Sequence, residues 1–168
     1  TNAVGIVLEG GIHDVRLVSN TVEANEADGL RVDHGTHDST LSKNIIEKNG
    51  GNGIVIDHTS ANNTVQGNTI TGNAEHGILV SGASLYNSLR SNVITSNDGD
   101  GIRLVDGGNN AIPAPVIDEF SVDRQRVQGS VDDSVPEGSI VDVFGDPMDE
   151  GEKHIGSCMA TNQRFYLR

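Results

Sequence analysis

The sequence predicts an all-β chain in two parts: a solenoid of stacked parallel strands over residues 1–110, then a partial β-sandwich over 111–168. Three observations carry this. Glycines stand at 5, 29, 53, 77 and 101. Two asparagine columns follow them, Asn20, Asn44, Asn68, Asn92 and Asn25, Asn49, Asn73, Asn97, every step being 24 residues without an insertion. A fixed period of that size marks a repeat architecture in which each coil buries its apolar face against its neighbours and none folds alone. The period stops at Asn109-Asn110, and the prolines of Ala111-Ile112-Pro113-Ala114-Pro115 cannot continue a ladder and read as a stiff linker.

Each coil opens on its glycine. The next residue is Ile6, Leu30, Ile54, Ile78 or Ile102, and the third is Leu8, Val32, Ile56, Val80 or Leu104. Between them, Val7, Arg31, Val55, Leu79 and Arg103 form a column that tolerates charge, so the alternation predicts a short strand with the first and third positions inward. Two more apolar columns, Leu17, Leu41, Val65, Leu89 and Val22, Ile46, Ile70, Ile94, predict two further strands per coil. Helical spacing of three and four is missing, and paired β-branched residues are broken by turn formers. The glycine is expected at a tight corner. Asparagine suits the other corners because it tolerates left-handed backbone angles and can hydrogen-bond along the stack as a ladder.

In the second part, strand-like runs occur at Val116-Ile117, Val127 to Val131, Ile140 to Phe144, His154 to Ala160 and Phe165 to Leu167, divided by turn-forming Val135-Pro136-Glu137-Gly138 and Asp146 to Gly151. That spacing suits an antiparallel sandwich. Five strands are fewer than the roughly seven of an immunoglobulin fold, so the module reads as truncated, or completed by chain outside this sequence.

The formal charge is −13, spread over both parts: residues 1–110 hold 13 acidic and 6 basic side chains, and 111–168 hold 11 and 5. Neither part carries a basic footprint for nucleic acid or anionic membrane, whereas an acidic surface suits cations. No apolar run reaches the length of a spanning helix. The single Cys158 leaves no intrachain disulfide and reads as a small core residue or an inert thiol. Thr1 falls inside a repeat, so the expectation is a fragment that starts in mid-array, without its export signal.

The repeated pattern Asn-x-Ile-x-x-Asn-x-x-x-Gly-Ile-x-Val, over residues 1 to about 108, resembles the parallel β-helix repeat of the right-handed, pectate-lyase-like β-helix superfamily. The resemblance implies a right-handed parallel β-helix. It is poor in information about activity, because that superfamily includes polysaccharide lyases, hydrolases, uronate epimerases, adhesins and surface proteins without known chemistry. Val127-Gln-Gly-Ser, Pro136-Glu-Gly-Ser-Ile-Val-Asp-Val-Phe and Glu150-Gly-Glu-Lys-His-Ile-Gly resemble immunoglobulin-like modules that follow β-helices in bacterial and archaeal surface proteins.

Chemistry is best sought after the glycine-led strand, where Asp33 and Asp57 share one column and His34 and His58 the next. Stacking would bring two carboxylates and two imidazoles together, able to hold a divalent cation or to supply an acid and a base for a uronate. Asp28, Arg31 and His76 lie at the same end, but neighbouring coils carry Glu9-Gly10 and Ser81-Gly82 instead. A second cluster, Asp33-His34-Gly35-Thr36-His37-Asp38 with His13-Asp14 one coil earlier, resembles the Asp-Pro-His-Asp segment of alginate epimerases, without its proline or the preceding Tyr-Gly. Arg16 is the one cation beside it. The asparagine columns read as structural. No serine carries a nucleophile-elbow signature. Tyr86 is the one aromatic residue of 1–110 and sits in a turn column, where it reads as an edge cover before a sugar platform. Asp142, Asp146, Asp149, Glu150 and Glu152 could form a calcium site, and more simply solvate a loop.

The expectation is a structural or adhesive, non-catalytic module of an exported, extracellular or cell-surface protein, a stiff rod displaying a surface that contacts polysaccharide or cell-envelope components. The rival reading is a lyase or uronate epimerase acting on acidic polysaccharide. No cofactor is required beyond a possible divalent cation. Nucleic acid and membrane insertion are not expected.

Overall fold

In the computed structural model, residues 3–121, 126–145 and 153–168 are described. The chain divides into two compact units. The first runs to Ala111, and the second comprises Ile112–Gly145 and His154–Arg168.

Each coil of the first unit holds three strands of three residues. The first coil has β1 (Ile6–Leu8), β2 (Arg16–Val18) and β3 (Thr21–Glu23). The second has β4 (Leu30–Val32), β5 (Thr40–Ser42) and β6 (Ile45–Glu47). The third has β7 (Ile54–Ile56), β8 (Thr64–Gln66) and β9 (Thr69–Thr71). The fourth has β10 (Ile78–Val80), β11 (Ser88–Arg90) and β12 (Val93–Thr95), and a fifth begins with β13 (Ile102–Leu104). Equivalent strands pair in parallel at an offset of one period, as Ile6 with Leu30 and Leu41 with Val65, giving sheets β1-β4-β7-β10-β13, β2-β5-β8-β11 and β3-β6-β9-β12. This is a parallel β-solenoid. In the middle coils the columns predicted to face inward do so: Leu30, Val32, Leu41, Ile46, Ile54, Ile56, Val65, Ile70, Ile78 and Val80 are fully buried in one cluster, whereas Ile102 of the fifth coil is exposed.

The corners differ from the expectation in one respect. The left-handed angles fall on the residue before each asparagine, namely Ser19, Lys43, Gly67 and Ser91 at one corner and Ala24, Lys48, Gly72 and Ser96 at the next. The asparagines keep ordinary backbone angles, so each side chain is free to turn inward and bond along the stack. Asn44 shows the pattern. Its Oδ1 accepts from the backbone N–H and the Nδ2 of Asn20, while its Nδ2 donates to Asn68 Oδ1 at 3.0 Å and to the Leu17 carbonyl at 3.0 Å. That satisfies both ends of a buried amide. A third ladder, from Ser39 through Asn63 and Asn87 to Asn109, runs along the remaining corner. Ser39 at its start and the step of 22 residues from Asn87 to Asn109 hid it from the column count.

The opening glycines also have a different cause from the corner expected. Gly53 has no left-handed angle, but a Cβ there would run into Ile70 and lie 2.7 Å from the Gly77 carbonyl oxygen. Glycine is needed because backbone and core press against it.

The second unit has a three-stranded antiparallel sheet, β14 (Val116–Ser121), β15 (Arg126–Ser130) and β18 (Arg164–Leu167), and a two-stranded sheet, β16 (Ile140–Gly145) with β17 (Lys153–Met159). Each overlaps one of the five runs read from the sequence. Val127, Val131, Val141, Val143, Ala160 and Phe165 form its core, with Cys158 packed against it. Burial pushes the Cys158 thiol pKa up, which keeps it protonated and unreactive.

Candidate functional site

After β4, β7 and β10 the chain makes the same four-residue turn. Thr36 N–H donates to the Asp33 carbonyl at 3.2 Å, Ser60 to Asp57 at 3.2 Å and Ser84 to Ser81 at 3.1 Å. The two central residues take left-handed angles, with φ 49° at His34 and 77° at Gly35, then 47° at His58 and 62° at Thr59. Angles of this kind reverse the chain tightly, and a histidine or threonine in them is strained. Asp33 and Asp57 hold these turns, since Asp33 Oδ1 accepts the His34 N–H at 2.8 Å and Asp57 Oδ1 accepts the His58 N–H at 2.7 Å.

Because the turn repeats in register, the four residues predicted to meet do meet. The His34 and His58 rings stack with centroids 4.7 Å apart and an interplanar angle of 6°. His58 Nδ1 lies 2.7 Å from Asp33 Oδ1 and 3.2 Å from Asp57 Oδ2, and His34 Nδ1 lies 3.3 Å from Asp33 Oδ1. Asp33 is buried, whereas both imidazoles are more than half exposed. Arg31 closes the inner side. Its Nε donates to Asp33 Oδ2 at 3.0 Å, one terminal nitrogen reaches Asp28 at 3.3 Å, and the other stands 3.6 Å from Asp57.

The electrostatics follow. Burial works against the Asp33 charge, but hydrogen bonds from Arg31, the His34 backbone and His58 outweigh it and hold the carboxyl below the usual carboxylate range. Burial likewise opposes the Arg31 charge, and the Asp33 hydrogen bond with the charges of Asp33, Asp28 and Asp57 raises its pKa. Asp33 Oδ1 and one ring nitrogen from each of His34 and His58 all lie within 4.8 Å of one another. One carboxylate and two imidazoles form a donor set suited to zinc or another transition metal, whereas calcium prefers oxygen ligands. Arg31 occupies Oδ2 and leaves Oδ1 on the imidazole side.

The array of histidines ends against a close contact on the fourth-coil side only, since at Gly10 of the first coil a Cβ would meet nothing within 4 Å. In the fourth coil Gly82 takes the place of His58, and a Cβ there would overlap the Asp57 carboxylate. His76, placed at the same end by sequence, does not join. Its Nδ1 instead accepts the Asp100 N–H at 2.8 Å. Asp28 joins through Arg31, and its Oδ1 also accepts from the backbone and side chain of Asn52. Arg31, which sequence reading treated as one member of a permissive column, is the residue that ties the three carboxylates together. A charge in the midst of Asp28, Asp33 and Asp57 was the available signal.

The second cluster forms separately. His13, His37 and Ala61 bridge in parallel, and the His13 and His37 rings stack at 5.0 Å. Each imidazole bonds the aspartate that follows it, His13 to Asp14 at 2.7 Å and His37 to Asp38 at 2.8 Å. A carboxylate on Nδ1 orients an imidazole for proton transfer at its other nitrogen. Tyr86 is largely exposed at a left-handed corner position. In the second unit Asp142 accepts from Ser157 at 2.6 Å, and Asp146, Asp149, Glu150 and Glu152 lie outside the described residues.

The family described as a right handed beta helix region matches residues 1–93. The chain belongs to this family. Among solved structures, this right-handed β-helix protein is similar to a crystal structure of a mutant of the periplasmic alginate epimerase AlgG, with a TM-score of 0.58 and 26% sequence identity. The likeness covers 62% of this chain and 25% of that one, so the chain spans about a quarter of the epimerase's length. A comparison with curated proteins finds no match.

Proposed function

We propose that the β-helix is a non-catalytic scaffold or adhesive module that contacts acidic polysaccharide, within an exported surface protein whose second unit is an incomplete immunoglobulin-like sandwich. The observation that carries this is the engagement of Asp33 with its own corner. Its two oxygens are taken by Arg31, the His34 N–H and the His58 ring, so the best acid-base candidates engage one another. A general base must be within reach of a substrate proton, and here the carboxylate is turned into the corner it stabilises. The similarity to a periplasmic alginate epimerase supports both export and a polysaccharide partner.

An enzyme acting on acidic polysaccharide, a lyase or uronate epimerase, is the second reading. The paired His37-Asp38 and His13-Asp14 favour it, because an imidazole oriented by a carboxylate suits removal of the proton beside a uronate carboxyl group. Incubation with alginate and with polygalacturonate separates the two. The scaffold reading expects retention on the immobilised polysaccharides, with no unsaturated uronate in the ultraviolet and no change in uronate composition by proton NMR. Turnover lost in His37→Ala would overturn it in favour of the enzyme.

A further inference from the structure

We infer that the outer face of the β2-β5-β8-β11 sheet, opposite in charge to the chain as a whole, is the seat for a uronate-bearing oligosaccharide. This rests on the polysaccharide-contact reading above and gives it a location. A shallow hollow there is lined by Arg16, Thr40, Lys43, Gln66, Gly67 and Arg90, together with further small residues, and no acidic residue. In a chain of net charge −13, three cations around one hollow form a local field of the opposite sign. Arg16 and Lys43 are exposed and make no side-chain hydrogen bond or ion pair among the described residues.

The floor is set by the corner column Ser19, Lys43, Gly67, Ser91. Gly67 holds a left-handed angle, and nothing lies within 4 Å of where a Cβ would be, so the third coil leaves a gap between Lys43 below and Ser91 above. Hydroxyl and amide groups of Thr40, Ser42 and Gln66 complete the lining. Cations spaced by coils about 4.8 Å apart, with Arg16 and Arg90 three coils or about 14 Å distant along the stack, match carboxylates repeated along a sugar chain, and the groups between them match its hydroxyls. A single-stranded nucleic acid would need aromatic stacking platforms, and the hollow has none.

The test is calorimetric titration with a uronate octamer, a neutral cello-oligosaccharide and inorganic sulfate, on the intact chain, Arg16→Gln/Lys43→Gln and His34→Ala/His58→Ala. Circular dichroism melting checks that each variant remains folded. The expected result is oligouronate binding that weakens with salt, falls at least tenfold in Arg16→Gln/Lys43→Gln and is unchanged in the histidine variant, with no comparable heat from sulfate. Undiminished binding in Arg16→Gln/Lys43→Gln, or loss only in the histidine variant, would overturn the location and leave polysaccharide contact standing. Binding of the neutral sugar alone would overturn the charge argument. No binding of any sugar would remove both readings.

Discussion

The asparagine corners and the aspartate-histidine corner face the same task with different materials. Along the first, Asn20, Asn44, Asn68 and Asn92 repeat without exception, the last three buried, and the middle two bonded to the coils on both sides. At the second, the residues after the strand change from coil to coil, through Glu9-Gly10, Asp33-His34, Asp57-His58 and Ser81-Gly82, while the turn hydrogen bond is kept in the last three. The contrast separates what winds the chain from what decorates it. A corner that closes with side-chain amides has few solutions, because most replacements strand buried donors; Ser39, whose Oγ accepts the Val15 N–H, is one that does not. A corner that closes through backbone angles tolerates several side chains, so it is where chemistry can be placed.

The largest effect should come from breaking a ladder in its middle. Asn68→Leu keeps the branched shape but removes the acceptor for the Asn44 N–H and Nδ2 and the donor to the Leu41 carbonyl. Buried groups left unpaired cost about 1–3 kcal/mol each, so the loss should be roughly 3–5 kcal/mol in denaturant unfolding. A change below about 1 kcal/mol would mean that the ladder is incidental.

Glycines give the same contrast on a smaller scale. Gly53 sits at ordinary angles without room for a Cβ, whereas Gly35 sits at φ 77° in open space. Gly53→Ala should cost about 1–3 kcal/mol through overpacking. Gly35→Ala should cost about 1 kcal/mol or less, because Thr59 and Ala83 already adopt such angles in the equivalent turns of the next two coils. Equal costs would erase the distinction between a position fixed by packing and one fixed by backbone angle.

These pairs also explain what could be read in advance. Period, sheet number and inward columns were legible because Ile, Val and Leu recur at fixed offsets, and a buried column admits little else. The meeting of Asp33, His34, Asp57 and His58 was legible for the same reason, since register alone brings residues 24 apart together. The left-handed angles were misplaced because Ser, Ala, Lys and Gly in those positions share no composition, whereas the asparagines that follow them do. The third ladder was missed because Ser39 begins what Asn63 and Asn87 continue. The bonds from Arg31 to Asp28 and Asp33 depend on side-chain reach, which a column does not encode.

Asp33 gives a smaller effect with a direction in pH. Its carboxyl is held below the usual range in the folded chain, so its contribution is fully present above the unfolded value of about 3.9 and is lost as pH falls through the folded value. Asp33→Asn should therefore be less stable than the parent by roughly 1–3 kcal/mol at neutral pH, since the bond to Arg31 loses its charge. The gap should narrow only below about pH 4. Urea unfolding of both proteins at several pH values measures it, and a gap independent of pH down to strong acid would show that the charge at Asp33 does not matter.

The smallest effect on stability should come from the histidines, and it distinguishes a decorated corner from a binding one. His34 and His58 are mostly exposed, so removing both should change stability by no more than about 0.5 kcal/mol. Their ring nitrogens nevertheless converge with Asp33 Oδ1 within 4.8 Å, close enough for one transition metal to draw the three ligands in. Calorimetric titration should then show zinc binding to the parent with release of protons. The heat should vanish in His34→Ala/His58→Ala and stay nearly intact in His13→Ala/His37→Ala, whose rings are held by their own aspartates. Calcium should give much less heat, because only one or two carboxylate oxygens are available to it. Equal zinc heats from the parent and the His34→Ala/His58→Ala variant would make the corner an ordinary hydrogen-bonded turn. Loss confined to that variant would make a corner that closes through backbone angles the one that recruits an ion.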